Sequence, residues 1–332
     1  MIRQHIFFIL SVLALCIPAQ ALKIDDNDTT PKKPRGVWTH STSPSILINE
    51  KLYNNWSAAG NSLLSIVANF DGTYKYTHDH YILDNVVKLG YGTDMQDLDA
   101  NRHLESRRKT EDKIDLTSTL SYKAISWANV NISLNYKTQF ADGWNFTGPG
   151  NDDGTLVSKF MAPGYITLSL GFEHKEDAWN VSVSPLSGKS TMVLSEEVIE
   201  AGQLYGVDTA DGKRIYNAFG AYVRFYFKKD IFKDFNLYTR IELFYDYRKP
   251  HLMNWDEIEG NYDKYYKRVT KAMSRETDVN FEMTINYKLR SFLHLSASLN
   301  LKYDTDYAGI GQYGHWQLFQ TAGLRFIFKW PK

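Results

Sequence analysis

Several places in this 332-residue chain carry residue types at spacings that chemistry could use. His294 and Ser296 stand two apart, which on an extended strand places them on one face. A base beside a nucleophile invites a serine-hydrolase reading, but that chemistry also needs an orienting group on the base and an oxyanion hole. Asn300 and Asp304, the residues of that face that could orient the base, stand several positions along the strand. His78 and His80 flank Asp79 and could ligate a metal through two imidazoles. A solvated turn accounts for the same three residues more simply. The acid- and glycine-containing runs 150–154 and 208–212 lack the ligand spacing of a calcium-binding EF-hand loop and read as turns. Gly188-Lys189-Ser190 resembles the end of a phosphate loop, yet Val183 stands where that motif requires its first glycine, and no strand-to-helix pattern surrounds it. No catalytic residue, metal or cofactor is therefore expected.

The elements that would position such residues begin with a leader. Arg3 and His5 precede an apolar run from Ile6 to Ile17, and Ala19-Gln20-Ala21 supplies small residues at a cleavage site. Residues 1–21 thus read as a secretory signal peptide. Leu15 before Cys16 spoils a lipoprotein signal, so the mature chain has no cysteine and no thiol chemistry. Cleavage removes Arg3 and no acid, leaving 37 basic against 38 acidic residues, which implies neither nucleic acid nor a strongly charged partner. Residues 22–35, with Asp25, Asp26, Asp28, Pro31 and Pro34, read as a polar periplasmic tether. The rest of the chain, 36–332, reads as a single domain.

That domain alternates. Leu64, Ile66, Ala68, Phe70, Gly72, Tyr74 and Tyr76 share one face of a run whose other face carries Ser65, Asn69, Asp71, Thr73 and Lys75. The period is two, that of a strand. It recurs at 113–123, 129–140, 279–288 and 293–304, and more weakly at 81–91, 164–174, 179–185, 215–228, 235–247 and 316–328. With a first strand near Ser43 to Glu50, the count is twelve. Past the leader no apolar run approaches the roughly 20 residues of a membrane helix, but barrel strands are apolar only at every second position. Links alternate between short (77–80, 124–126, 175–178, 229–234, 290–291) and long (93–109, 141–163, 186–214, 248–275). That is the habit of bacterial outer-membrane barrels, with short periplasmic turns and long outer loops. Trp38, Trp127, Trp179 and Trp330 fall at the turn ends, and Trp56, Trp144, Trp255 and Trp316 at the loop ends, as two interfacial girdles would. Closure into a barrel satisfies every backbone group in hydrocarbon, so the expected fold is an all-β, antiparallel, up-and-down transmembrane β-barrel. Gly323, Phe326 and Phe328 in the final strand resemble the insertion signal read by the barrel-assembly machinery, with Lys329 to Lys332 extending past the usual terminal aromatic.

Several runs support a family resemblance: Asn55-Trp56-Ser57-Ala58-Ala59-Gly60-Asn61-Ser62, Asp84-Asn85 leading to Gly90-Tyr91-Gly92, Arg108 to Lys113, and Pro185 to Thr191. Together they resemble an uncharacterised family of outer-membrane proteins of Bacteroidota, a domain of unknown function. The resemblance implies location and fold, and no residue role.

The inward face is then expected to carry Asp84, Lys88, Lys113, Asp115, Lys123, Asn131, Asn135, Lys137, Gln139, Glu173, Arg224, Arg240, Glu242, Glu282, Lys288, Lys302 and Arg325. With Lys75, Asp71, Asp246 and Asp304 of the same faces included, ten inward bases and eight acids nearly cancel, whereas a strongly ion-selective pore should show a ring of one sign. Twelve strands lie between packed eight-stranded and open sixteen-stranded barrels. The first reading is a narrow channel for small polar solutes; the alternative is a non-conducting barrel braced by paired charges that serves as a structural or surface-binding element; a barrel-embedded lipid hydrolase built on His294 and Ser296 ranks behind both. Tyr262, Tyr265 and Tyr266 among Lys264, Lys267 and Arg268 would let an outer loop meet a glycan, lipopolysaccharide or a protein. The expected partners are outer-membrane lipid, lipopolysaccharide and the assembly machinery.

Overall fold

The computed structural model describes residues 36–51, 63–97, 104–145, 154–209, 212–247, 277–304 and 315–328. The leader, the tether, Trp56, Trp255, Trp330, the Tyr262 to Arg268 run and most of the two glycine-containing loops lie outside them. Twelve strands close into a barrel: β1 (Val37–Lys51), β2 (Leu63–His78), β3 (Tyr81–Asp97), β4 (Leu104–Lys123), β5 (Asn129–Thr138), β8 (Gly164–Lys175), β9 (Trp179–Met192), β10 (Ile215–Phe232), β11 (Phe235–Asp246), β12 (Thr277–Lys288), β13 (Leu293–Asp304) and β14 (His315–Ile327). Each pairs antiparallel with its barrel neighbours, as expected for an up-and-down barrel. A two-stranded hairpin, β6 (Gly143–Asn145) with β7 (Thr155–Ser158), and one short helix, α1 (Glu196–Glu200), stand at the loop end.

The burial pattern is inside-out relative to a soluble barrel. On β8, outward Leu168, Leu170 and Phe172 are 51%, 44% and 57% exposed, while inward Thr167, Ser169 and Glu173 are buried. Apolar side chains left outside and polar ones taken inside are the arrangement of a barrel that spans hydrocarbon. Of the girdle positions within the described residues, Trp38 and Trp127 are exposed at the turn end and Trp144 and Trp316 at the loop end, while Trp179 at the turn end is half-buried against His174.

Several boundaries differ from expectation. β3 runs on to Asp97 and β4 begins at Leu104, the two pairing through Thr93 to Lys109 and Asp97 to Leu104, so most of the link expected at 93–109 is strand and only 98–103 separates them. Two further boundaries differ because of a proline. β1 begins at Val37, not near Ser43, and runs through Pro44. The Pro44 carbonyl accepts the Phe328 amide at 2.9 Å, so the missing proline N–H faces the spot where β14 ends and no ladder bond is lost in mid-sheet. β9 continues past Pro185 to Met192 instead of yielding to a loop. Its pairing skips there: Leu170 faces Leu186 but Phe172 faces Val183, and Gly220 faces Ser187 but Tyr222 faces Ser184. Pro185 therefore sits in a bulge, one of the few sheet positions that tolerates it. The bulge reverses parity, so Ser182 and Ser184 before it and Ser187 and Thr191 after it are all buried. Gly171 lies against the bulge, where a Cβ would strike the Val183 carbonyl and the Ser184 backbone.

The barrel closes where β1 meets β14, with Ser45 to Ile48 opposite Ile327 to Leu324. Gly323 lies against the Ile48 carbonyl and the Asn49 side chain so closely that only glycine fits. Phe326 pairs with Ile46 on one side and Leu293 on the other, so residues expected to signal insertion also form the closing seam.

Candidate functional site in the lumen

Inward residues divide by size between two walls. On β4, β5, β8 and β9 most are small (Thr117, Thr119, Ser121, Asn131, Ser133, Asn135, Thr167, Ser169, Ser182, Ser184 and Ser187, all buried), the exceptions being Lys113, Asp115, Lys137, Glu173 and Lys189. On β10, β11 and β12 they are large: Tyr222, Arg224, Arg240, Glu242, Phe244 and Glu282, also buried. Small side chains on one wall leave room for long ones from the other.

The long ones cross. Arg240 on β11 donates from Nη1 to Asp115 Oδ2 on β4 at 2.6 Å and from Nη2 to Glu242 on its own strand. Glu282 on β12 takes Lys113 of β4 and, at 3.4 Å, Lys88 of β3, with Arg240 Nη1 at 3.7 Å. Lys137 of β5 pairs with Glu242, which also accepts the Tyr222 hydroxyl at 2.6 Å and the Asn280 amide at 3.0 Å. Lys88 Nζ lies 2.6 Å from the Tyr238 hydroxyl. Arg240 and Arg224 lie over the Tyr226 ring at 5.6 and 5.3 Å from its centroid. The Asn135 amide donates to Asp115 at 2.8 Å and to Thr117 at 2.8 Å.

These contacts fix the cross-section. Counted around the ring, β12 is the strand diametrically opposite β4, and β11 is one short of it. A circular barrel of twelve tilted strands would hold opposite backbones roughly 24 Å apart. A lysine and a glutamate at full stretch cover little more than half of that. The barrel is therefore flattened at this height, and a belt of ion pairs with their hydrogen-bonding partners spans the short axis. Desolvating these charges costs free energy that pairing offsets only when every partner is present.

Other expected lumen residues fall elsewhere. Asp84 bridges to Lys175 at 3.2 Å in the turn-end half. Glu173 accepts from Ser121 at 2.9 Å and from Asn180, and Asn131 donates to Ser182 at 3.0 Å. Lys123 and Lys288 are exposed at the turn end and take no part in the belt. Arg325 is half-buried on β14, opposite Leu47 of β1 and His294 of β13. Gln139 lies past the end of β5 and donates to the Lys159 carbonyl, which assigns it to the loop cap. Phe328 lies past the end of β14 and is exposed.

Above the belt, at the loop end, lies a cavity of about 110 Å³. Lys137, Tyr222 and Glu242 of the belt border it below, and Tyr165, Lys189, Phe244, Asp278, Asn280 and Lys302 line it above. Of these, only Lys137, Glu242 and Lys302 were expected inside. Lys189 enters the lumen because the Pro185 bulge reverses the parity of β9, and it pairs with Asp278 at 2.5 Å. Tyr222 and Phe244 share the inward parity of Arg224 and Glu242, a signal available in the sequence once the charged residues fix the phase.

The other motif residues have local roles. Ser296 is buried and gives its hydroxyl proton to Asn286 Oδ1 at 2.8 Å, so that proton is not directed to His294. His78 stacks on Tyr76 and His80 on Tyr122, which employs both rings in packing at the turn-end rim. Lys189 and Ser190 lie within β9 and not at the start of a helix, as a phosphate loop requires; α1 begins only at Glu196.

Residues 48–144 match the model of a family described as Protein of unknown function (DUF3078). The match runs from the upper half of β1 to β6 and includes Lys88, Lys113, Asp115 and Lys137, one wall's share of the belt. No curated protein matches the chain in sequence. Among solved structures, the chain is similar to an outer membrane channel from Pseudomonas putida F1, at 12% identity and a TM-score of 0.37, over 92% of this chain and 100% of that one. It is also similar to the translocator domain of the autotransporter NalP from Neisseria meningitidis, at 10% identity and a TM-score of 0.32, over 91% and 90% of the two chains. A third, the outer membrane channel DcaP of Acinetobacter baumannii, is 9% identical with a TM-score of 0.29, over 90% and 99%.

Proposed function

We propose that this protein is an outer-membrane barrel whose lumen is closed at mid-height, so that in its resting state it acts as a non-conducting, outward-facing binding or structural element. It reaches the outer membrane by way of the cleavable leader at 1–21, and the resemblance of its sequence runs to those of Bacteroidota outer-membrane proteins points to that envelope as its setting. The observation that carries the reading is the belt. Arg240, Asp115, Glu242, Glu282, Lys88, Lys113 and Lys137 meet across the short axis, at a height where Arg240 and Asp115 are 1% and 2% exposed. A water-filled pore would leave inward charges hydrated, whereas Arg240, Asp115 and Glu242 have exchanged water for one another, with Lys88, Lys113 and Lys137 joining them from part-exposed positions. Planar-bilayer recordings test it. The native protein should give no stable conductance steps, and Arg240→Ala with Lys113→Ala and Glu282→Ala should introduce them. Steady open-channel current from the native protein would overturn the closed state.

A second reading, a channel that opens when the belt parts, draws on the belt's composition. Its links are ion pairs and hydrogen bonds, which water can replace on opening without exposing a dry apolar core. Current that appears only under an applied stimulus, such as high salt, would favour it over the permanently closed barrel.

A further inference from the structure

The inward charges nearly balance over the whole barrel, but they are not mixed at every height. Near the turn end six bases face inward: Lys75, Lys123, Lys175, Lys228, Lys288 and Arg325. Their parity follows from buried inward groups of the same strands, such as Ser121 for Lys123, Glu173 for Lys175, Arg224 for Lys228 and Glu282 for Lys288. They stand on β2, β4, β8, β10, β12 and β14, every second strand around the ring, each near the turn end of its strand. The residues opposite them on the intervening strands are Thr39, Asp84, Asn129, Asn180, Tyr238 and His294, of which only Asp84 is an acid. Asp84 is taken by Lys175 at 3.2 Å. Of the other inward acids at this end, Glu173 is met by Ser121 and Asn180, and Asp230 by the Asn236 amide at 2.9 Å. Lys123, Lys228 and Lys288 are exposed and, with half-buried Lys75, make no ion pair among the described residues. The chain that leads into β1 carries Lys32, Lys33 and Arg35, and the chain that leaves β14 carries Lys329 and Lys332, so the nearest sequence on either side adds bases. The short turns are close to even, with Asp79, Glu176, Asp177 and Asp234 against Lys229, Lys233 and Arg290.

We propose that the turn-end mouth captures an extended acidic peptide segment, which enters between the walls with its carboxylates toward this ring. Bases on every second strand stand roughly 10 Å apart, so a single small anion reaches one or two of them, whereas a chain of charges reaches several. An extended peptide sends alternate side chains to opposite sides, about 7 Å apart along each side, and so offers acids to both facing walls at once. Membrane headgroups surround the barrel from outside and do not reach inward lysines, which removes a lipid surface as the partner. The ring lies on the turn-end side of the belt, so the proposal holds whether the belt stays closed or parts.

Fluorescence anisotropy of an end-labelled octa-aspartate peptide, added to the purified protein in non-ionic detergent, tests it. The peptide should bind saturably and weaken at least about threefold between roughly 50 and 300 mM salt, and octalysine should not bind. Lys123→Glu with Lys288→Glu should weaken octa-aspartate by roughly tenfold or more. Lys229→Glu with Lys233→Glu makes the same change in net charge at the same end, on the outward face of β10 and in the β10–β11 turn, and should cost less than about twofold. All four lysines are exposed, and a heat-modifiable gel band shows that each variant folds. Absence of saturable binding, an unaltered Lys123→Glu with Lys288→Glu, or equal weakening by the two pairs would each overturn the proposal, the last in favour of net charge alone. Tighter binding of inorganic polyphosphate of equal charge would overturn it in favour of a phosphate polymer. Steady conductance beside intact peptide binding would fail the closed-lumen reading alone, and a silent barrel that leaves the peptide free would fail this proposal alone.

Discussion

Arg240 offers the sharpest perturbation, because its removal strands one partner and not the others. In Arg240→Met, Glu242 keeps Lys137 and the Tyr222 hydroxyl, and Glu282 keeps Lys113 and Lys88. Asp115 loses its 2.6 Å ion pair and retains the Asn135 amide at 2.8 Å. Leaving one buried charge uncompensated costs on the order of 3–5 kcal/mol, and the Asn135 hydrogen bond argues for the lower end, about 3 kcal/mol. Methionine refills most of the volume, so little of this is a cavity effect. If stranding is the cause, adding Asp115→Asn should recover more than half of the loss, so the coupling in the double-mutant cycle should be at least about 1.5 kcal/mol, larger by whatever Asp115→Asn costs alone. Reversible urea unfolding in lipid vesicles, followed by tryptophan fluorescence, measures all four corners. A single-variant cost below about 1 kcal/mol, or additive effects of the two substitutions, would refute the claim that these charges are desolvated against one another.

Two further outcomes probe the barrel around the belt. Leu170→Arg places a charge on the outward face of β8, where the native leucine is 44% exposed, and should destabilise the barrel by roughly 2–4 kcal/mol if that face meets hydrocarbon. Unfolding in vesicles reads it, and a cost near zero would argue that the face is wet. Gly171→Ala drives a methyl into the β9 backbone at the bulge, so unboiled samples should lose the compact, heat-modifiable gel band. A normal band with native urea stability would mean that the bulge moves freely.

The barrel was largely legible because its signal is local. On β4 the alternation of Leu116, Leu120 and Tyr122 with Thr117, Thr119 and Ser121 assigns both faces from neighbouring residues, and the short turns fix which strands pair. The prolines hid what they did because each was absorbed by something distant in sequence: the end of β14 for Pro44, and glycine on the neighbouring strand for Pro185. Losing the upper half of β9 meant losing Lys189, and with it the cavity. Aromatic residues were hidden differently. Tyr222, Tyr238 and Phe244 are apolar enough to suggest a lipid face, and only their parity with Arg224, Arg240 and Glu242 places them inside.

The belt was the hardest feature to foresee, because a balanced list of inward charges fits both a hydrated channel and a set of cross-lumen pairs. Arg240 meets Asp115 across 125 residues of sequence, and Lys113 meets Glu282 across 169. What separates the two cases is side-chain size compared strand by strand. Had both walls carried long residues, they would have held the barrel round and met water at its centre. With Thr117, Thr119, Ser133 and Ser169 on one wall, the guanidinium and phenol groups of the other have somewhere to go, and the sheet can flatten until they arrive. The same argument predicts the effect of filling that room: Ser133→Leu, opposite Arg224 Nη1 at 3.4 Å, should push the walls apart, weaken the coupling expected between Arg240 and Asp115, and admit current through a barrel that is otherwise silent. If Ser133→Leu leaves both coupling and conductance unchanged, flattening does not depend on the small wall, and volume complementarity is the wrong account of closure.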